Sequence, residues 1–331
     1  MLVLGLETSC DETAAAVLKD GDALLSNVIN DQIGIHSKYG GIVPELAGRS
    51  HIERVHRVIE EAVEIAGVQL KDIDLIAATM GPGLIGSLLV GLNTAKGLSY
   101  GLKKPMVGVN HLEGHLLAIF LQKKIPFPFI ALIVSGGHTD LYRVADFGKY
   151  KLMGRTRDDA AGESFDKVGK MLGFPYPGGP VIERRALDGN PAAVDFPRAA
   201  MRDYDFSFSG LKTAVLYYLQ GEIKARPELL ADDGNFANGQ FVNDVAASFQ
   251  EAVVDALVSK LIKAVKEYAP REVHLVGGCS ANRHLREKIV ARLARGKRPP
   301  VFRTPVKMSY CTDNAAMIGG AAYWLKNPPL D

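Results

Sequence analysis

Cysteine is scarce in this sequence: Cys10, Cys279 and Cys311 are the only three in 331 residues, and none forms a Cys-x-x-Cys pair. An odd, scattered set argues against a disulfide framework and a thiolate zinc site, and fits a reducing compartment. Excess charge is missing too. The 39 Lys and Arg face 37 Asp and Glu, a formal net charge of +2, so any basic footprint has to be local. No apolar run approaches the roughly 18 residues that a bilayer span requires, so no membrane segment is expected. The chain runs straight into Leu2-Val3-Leu4-Gly5 and meets Glu7, Asp11 and Glu12 at once. That reads as a first strand rather than a signal peptide, and a cytoplasmic location is expected. What the sequence does have is length, 47% hydrophobic residues and 34 glycines, enough for two ordinary domains rich in tight turns.

Strands alternate with helices in both halves, which predicts α/β lobes. Leu2 to Val17 and Phe129 to Val144 share one pattern: an apolar strand, a small polar turn, then a second apolar strand. Each reads as a hairpin whose turn projects backbone N–H groups and hydroxyls, and their spacing points to two similarly built lobes. Helices are expected over His51–Ala66 (closed by Gly67), Leu84–Tyr100, 162–172, 180–188, 209–220, 241–268, from Asn282 to about Ala294, and from Thr312 to Trp324. Strands are expected over Asp74–Met80, Met106–Asn110 and Glu272–Val276. The apolar Gly83–Tyr100 segment reads as a core helix rather than a partner surface. Lys123–Pro128 reads as a linker, and 224–239 as a flexible loop.

His111-Leu-Glu-Gly-His115 is the densest chemical signal. Residues four apart share a helix face, close enough for both imidazoles to hold one metal ion. Met106–Asn110 reads as a short buried strand and Asn110 as the helix cap, so the pair sits at the carboxyl end of a strand. The plain alternative is a helix whose histidines face water. Peptidases of the HExxH type place glutamate beside the first histidine; here Glu113 lies two residues from each, pointing away from both, which disfavours a metallo-endopeptidase. Asp313, where the last helix is expected to begin, is the best third ligand, against a competing role for Asp313 or Thr312 as a simple cap.

Three glycine turns favour a nucleotide crevice. Ser135-Gly136-Gly137-His138-Thr139 lets a phosphate approach backbone N–H groups without a Cβ in the way. Gly277-Gly278 sits between a strand and a helix, with Asn282 in reach of a nucleoside. Tyr176-Pro177-Gly178-Gly179-Pro180 opens a helix carrying Glu183, which with Asp166 could accept from ribose hydroxyls. Taken singly, each acid reads more readily as a cap or a surface carboxylate.

The order of motifs resembles a known family. Gly5-Leu-Glu-Thr-Ser-Cys-Asp-Glu-Thr13, Pro44-Glu45-Leu46-Ala47, Gly81-Pro-Gly-Leu84, His111-Leu-Glu-Gly-His115, Val134-Ser-Gly-Gly-His-Thr139, Tyr176-Pro-Gly-Gly-Pro180, Asp205-Phe-Ser-Phe-Ser-Gly-Leu-Lys-Thr213, Ser280-Ala-Asn-Arg283 and Cys311-Thr-Asp-Asn314 together resemble TsaD, the bacterial tRNA N6-adenosine threonylcarbamoyltransferases related to the KEOPS catalytic subunit. The resemblance implies an α/β fold of two duplicated lobes of the actin, sugar-kinase and heat-shock ATPase type (ASKHA, RNase H-like) with a nucleotide cleft between them. It implies a metal- and partner-side lobe of 1–126 plus about 308–331, and a nucleotide-binding lobe of 127–307. His111, His115 and Asp313 would hold one divalent ion, Fe(II) first and Zn(II) second. Ile133, Val134, Ser135, Gly136, Gly137, Asp166, Gly179, Glu183 and Asn282 would contact the threonylcarbamoyl-adenylate, or ATP, ADP or AMP. Glu183 departs from the aspartate of many bacterial members.

The activity implied is transfer of the threonylcarbamoyl group from L-threonylcarbamoyl-AMP to N6 of the adenosine 3′ of the anticodon (position 37) in tRNAs reading ANN codons. Implied partners are tRNA, a TsaB-like paralogue and a TsaE-like ATPase, with the adenylate made by a TsaC-type synthase. No general base is assigned, and Asp11 and Glu12 are the acids to test. Arg283, Arg286, Lys288, Arg292, Arg295, Lys297, Arg298 and Arg303, opposed locally only by Glu287, form either a tRNA-backbone footprint or a solvated helix face. Competing classes are an ASKHA-type small-molecule kinase or ATPase, the disfavoured endopeptidase, and a non-catalytic scaffold.

Overall fold

Two five-stranded sheets, each an antiparallel hairpin extended by parallel strands, frame the protein. The computed structural model describes residues 1–231, Gly234 and 236–326. Two units are distinguished: Met1–Phe127 with Asp146–Lys149 and the segment from Thr304, and Pro128–Ala145 with Tyr150–Arg303.

The first unit holds β1 (Leu2–Glu7), β2 (Glu12–Lys19), β3 (Ala23–Asp31), β4 (Leu75–Gly81) and β5 (Met106–Asn110), in the order β3-β2-β1-β4-β5. Its helices are α1 (Ile33–His36), α2 (Pro44–Ile65), α3 (Ile85–Leu102) and α4 (His111–Leu117), and the C-terminal helix Ala315–Lys326 belongs to it. Strand side chains alternate between faces. Thus Leu4, Leu6, Ala15 and Val17 pack with Val55, Ile59 and Ala62 of α2, while Ala14, Ala16 and Leu18 pack with Ala315 and Ala316 on the other face. Gly5 permits the C-terminal helix to press close: a Cβ there would lie 2.3 Å from the Ala315 carbonyl oxygen.

The second unit repeats the plan with β6 (Phe129–Val134), β7 (Thr139–Asp146), β8 (Lys149–Arg155), β9 (Glu272–Val276) and β10 (Val301–Arg303), in the order β10-β9-β6-β7-β8. The hairpin tip 146–149 counts with the first unit. Its helices are α5 (Ala161–Met171), α6 (Gly179–Ala186), α7 (Ser209–Ala225), α8 (Gly239–Tyr268) and α9 (Arg283–Leu293), which makes the C-terminal helix α10. β6 and β9 are buried along their whole length, as central strands covered on both faces are; β6 runs apolar without alternation, while β9 also buries Glu272 and His274. Ile130, Leu132, Phe165, Val245, Phe249 and Leu275 anchor this core.

Several expectations are corrected. α2 begins at Pro44 rather than His51, with proline at its first turn where a missing N–H is harmless. β5 is an edge strand with only Val109 buried. α3 is not a core helix: only Ser87, Gly91 and Ala95 are buried, while Ile85 is 78%, Leu89 53% and Tyr100 90% exposed. α10 starts at Ala315, three residues later than expected. Within the 224–239 loop, Pro227–Leu229 form a 3-10 turn that buries Leu229, and Leu230 pairs with Phe236; positions 232, 233 and 235 lie outside the described residues. Among the described residues no helix is long and apolar enough to cross a membrane.

Candidate functional site

In the first unit the site begins with a cap. Asn110 closes β5 and its side-chain oxygen accepts from the N–H groups of Leu112 and Glu113, starting α4 at His111. His111 and His115 then fall on the buried face, while Glu113 is partly exposed. Their rings meet edge to face with centroids 4.8 Å apart. Asp313 arrives from the far end of the chain. The cap of α10 is Asn314, whose side-chain oxygen accepts from Met317 N–H at 3.0 Å. Asp313 Oδ1 lies 3.1 Å from His115 Nε2 and 3.5 Å from His111 Nε2. These ligand atoms form the one group among the described residues that is suited to a metal, all within 4.8 Å of each other. Donors about 2.1 Å from one ion stand roughly 3.0–3.4 Å apart, so the two carboxylate–imidazole edges fit such an ion. Two imidazoles and one carboxylate suit Fe(II) or Zn(II).

Polar residues surround the triad. Glu7, fully buried at the end of β1, accepts from Ser9 N–H and from Thr79 Oγ1, each at 2.5 Å, and lies 3.1 Å from His111 Nδ1. Burial alone would lower the His111 pKa, but the carboxylates of Asp313 and Glu7 outweigh it and raise it to about 9. Glu12 is held well above the ordinary carboxylate range, by burial first and then by Asp313 and Asp11. Burial likewise pushes the Cys10 thiol up. His51 pins the turn between β1 and β2, with Nε2 3.0 Å from the Cys10 carbonyl oxygen and Nδ1 2.8 Å from Thr13 Oγ1. The sequence reading missed Glu7, Ser9 and Thr79; the available signal was a carboxylate closing an otherwise apolar strand.

In the second unit two of the glycine turns meet at the end of β6, and the third is tied to α5. Ser135 N–H donates to the His138 carbonyl at 2.8 Å, and His138 N–H returns to Ser135 Oγ at 3.1 Å. A Cβ at Gly136, Gly137 or Gly278 would meet no atom within 4 Å, so these backbones face open space. Gly277 is fixed: its φ is +89°, and a Cβ would lie 2.6 Å from the Val134 carbonyl oxygen. Ile133 and Val134 are buried in the strand itself.

The predicted polar contacts have neighbours of their own. Asp166 Oδ1 accepts from Gly178 N–H at 2.8 Å and Gly179 N–H at 3.3 Å, fixing the third turn. Glu183 accepts from Arg283 N–H at 2.6 Å, at the start of α9. Asn282 caps α9 through Leu285 N–H and donates to Gln250 Oε1, both at 2.8 Å. Burial, with the charges of Asp166 and Glu183, pushes the Cys279 thiol up to about 12.

The basic cluster is less open than expected. Glu287 pairs with Arg283, but Glu251 and Asp255 hold Lys288, and Glu272 holds Arg303. These extra acids come from α8 and β9, remote in sequence. Arg292, Arg295, Lys297 and Arg298 remain exposed.

Together these features define a two-unit α/β protein of the ASKHA class carrying a His-His-Asp centre. Solved structures agree on the fold. HypF of T. kodakarensis superposes with TM-score 0.63 at 14% identity, over 97% of this chain and 47% of HypF. The Acidaminococcus fermentans (R)-2-hydroxyglutaryl-CoA dehydratase component A gives 0.55 at 15% identity, over 98% of each chain. The Clostridium difficile 2-hydroxyisocaproyl-CoA dehydratase activator, solved with bound ADPNP, gives 0.54 at 13% identity, over 98% of this chain and 94% of that one. Sequence narrows the class. The profile of TsaD, tRNA N6-adenosine threonylcarbamoyltransferase, matches residues 23–320. Proteins of that name from Geotalea uraniireducens and Clostridioides difficile are 52% and 50% identical, over 99% and 98% of this chain and 92% and 93% of theirs. The chain belongs to the TsaD family of transferases.

Proposed function

We propose that this protein transfers the threonylcarbamoyl group of L-threonylcarbamoyl-AMP to N6 of the adenosine 3′ of the anticodon in tRNAs reading ANN codons, releasing AMP. The observation that carries this reading is the convergence of His111, His115 and Asp313 in a chain about half identical to relatives of that name. Those three residues would hold one divalent ion, Fe(II) first and Zn(II) second, whose charge would offset negative charge on the anhydride and phosphate oxygens.

The chain's own residues supply the rest. The open turns at Gly136, Gly137 and Gly278 suit the adenylate phosphate, and Ser135, Asp166, Gly179, Glu183 and Asn282 are assigned to the rest of the threonylcarbamoyl-adenylate, the two acids towards its ribose hydroxyls. Ile133 and Val134 fix the strand end behind Ser135. A fold that admits ADPNP in the dehydratase activator supports an adenine nucleotide as the ligand class. The N6 lone pair forms the new C–N bond to the carbamoyl carbon, the C–O bond to phosphate breaks, and AMP departs with that electron pair. The proton that leaves N6 passes to a nearby acceptor, for which Asp11 and Glu12, where β2 begins, are the residues to test. Because the leaving group is already activated, positioning supplies most of the rate.

Residues 1–126 with 308–331 are assigned the metal and partner side, and 127–307 the nucleotide side. The exposed apolar face of α3 suits a TsaB-like paralogue. A TsaE-like ATPase and a TsaC-type synthase complete a cytoplasmic pathway. Arg292, Arg295, Lys297 and Arg298 suit the tRNA backbone. The test is incubation with tRNA, the adenylate and the partners, followed by mass spectrometry of tRNA nucleosides. Threonylcarbamoyladenosine supports the reading; transfer of the γ-phosphate of labelled ATP to a small molecule, without modified tRNA, replaces it with the kinase class.

A further inference from the structure

The two histidines of the triad are held differently. His115 Nδ1 is buried and has no hydrogen-bond partner among the described residues. His111 Nδ1 lies 3.1 Å from Glu7 Oε2 and 3.2 Å from Ser9 Oγ. Glu7 is itself locked: its other oxygen accepts Ser9 N–H, and Oε2 also accepts the Thr79 hydroxyl. It comes from the end of β1, 104 residues away from His111 in sequence, and reaches the imidazole from the side opposite Asp313.

We infer that Glu7 is a positioning residue that fixes the His111 tautomer, accepting a proton held on Nδ1 so that the Nε2 lone pair faces the metal position beside Asp313. A metal-ligating histidine commonly donates its second ring N–H to a carboxylate, which orients the ring and makes the ligating nitrogen more basic. This inference rests on the metal reading of His111, His115 and Asp313.

Glu7→Gln separates positioning from packing. Ser9 N–H can only donate, so the amide oxygen must stay on its side. The amide NH2 then takes the place of Oε2, facing Thr79 and His111. The Thr79 hydroxyl can rotate to accept; His111 can accept only by moving its proton to Nε2, where it blocks the metal position. Shape is nearly unchanged while the tautomer inverts.

Zn2+ is the probe, titrated into wild-type, Glu7→Gln and Ser9→Ala proteins, with thermal midpoints recorded in chelator. Glu7→Gln is expected to weaken Zn2+ binding about 10–100-fold, with a metal-free midpoint like that of wild type. Ser9→Ala is expected to stay within about threefold of wild type, because the Glu7 carboxylate remains as acceptor for Nδ1–H. In the Zn2+-loaded wild type, 15N spectra of histidine should show His111 coordinated through Nε2 with a proton on Nδ1. Unchanged Zn2+ affinity in Glu7→Gln, a loss seen only in Ser9→Ala, or coordination through Nδ1 overturns the inference. A Glu7→Gln chain that unfolds leaves the 15N measurement on wild type to decide. Wild-type protein that takes up no Zn2+ overturns the metal reading, and this inference with it.

Discussion

The Asp313 carboxylate lies 3.1 Å from His115 Nε2, although 198 residues separate them in the chain. β5 and its capped helix deliver the histidines, and the turn before α10 delivers the acid to the same point. Asp313→Ala leaves two ligands of three. It is expected to weaken Zn2+ binding by more than about 100-fold, beyond the loss seen when only a supporting carboxylate is removed. Competition against a chelator measures this; wild-type affinity in the variant would exclude Asp313 as a ligand.

Gly277 is required by both its backbone and its surroundings. Alanine there must adopt a φ of +89° and place Cβ 2.6 Å from the Val134 carbonyl oxygen. Gly277→Ala is expected to destabilise the fold by about 1–3 kcal/mol and to weaken AMP binding. Urea unfolding and AMP titration check the two effects, and wild-type values in both would contradict the strained close approach.

Local pattern made the hairpins, most helices and the Asn110 cap legible in the sequence, because each depends on neighbours a few residues away. The start of α10 was misplaced because Thr312, Asp313 and Asn314 can all cap a helix, and only packing selects Asn314. α3 was misjudged because an apolar segment does not say whether another element covers it. The triad was readable as residue types, but Glu7 and Thr79 were not: their contacts span 72 to 104 positions. The acids that hold Lys288 and Arg303 were hidden in the same way, on α8 and β9.

Those hidden acids distinguish cations available to RNA from cations already spent. Reversing Arg292 and Arg295 to Glu is expected to reduce the slope of log affinity for tRNA against log salt by about 2, one per phosphate contact. Lys288→Ala should leave that slope unchanged, since Glu251 and Asp255 hold its ammonium group. Equal slopes for wild type and the double reversal would place the RNA footprint elsewhere.

Glu272 predicts an acid limb in stability. Burial would raise its pKa, but hydrogen bonds from His274 and Arg303 and their charges hold it at about 2, against an ordinary value of 4.5. A carboxylate depressed in the folded state contributes stability above its unfolded pKa and loses it as pH falls through the folded one. The unfolding free energy should therefore decline from about pH 4.5 towards pH 2, and more shallowly in Glu272→Gln. Chemical denaturation across that window checks the slope; identical slopes would mean that the pair adds no pH-dependent stability.

The most direct measurement joins the metal site to the reaction. In a complete mixture of tRNA, threonylcarbamoyl-adenylate and partner proteins, nucleoside mass spectrometry should find threonylcarbamoyladenosine with wild-type protein, and none above background with the His111→Ala, His115→Ala double variant. Modification at the wild-type rate by a folded double variant would contradict a reaction that depends on the two imidazoles.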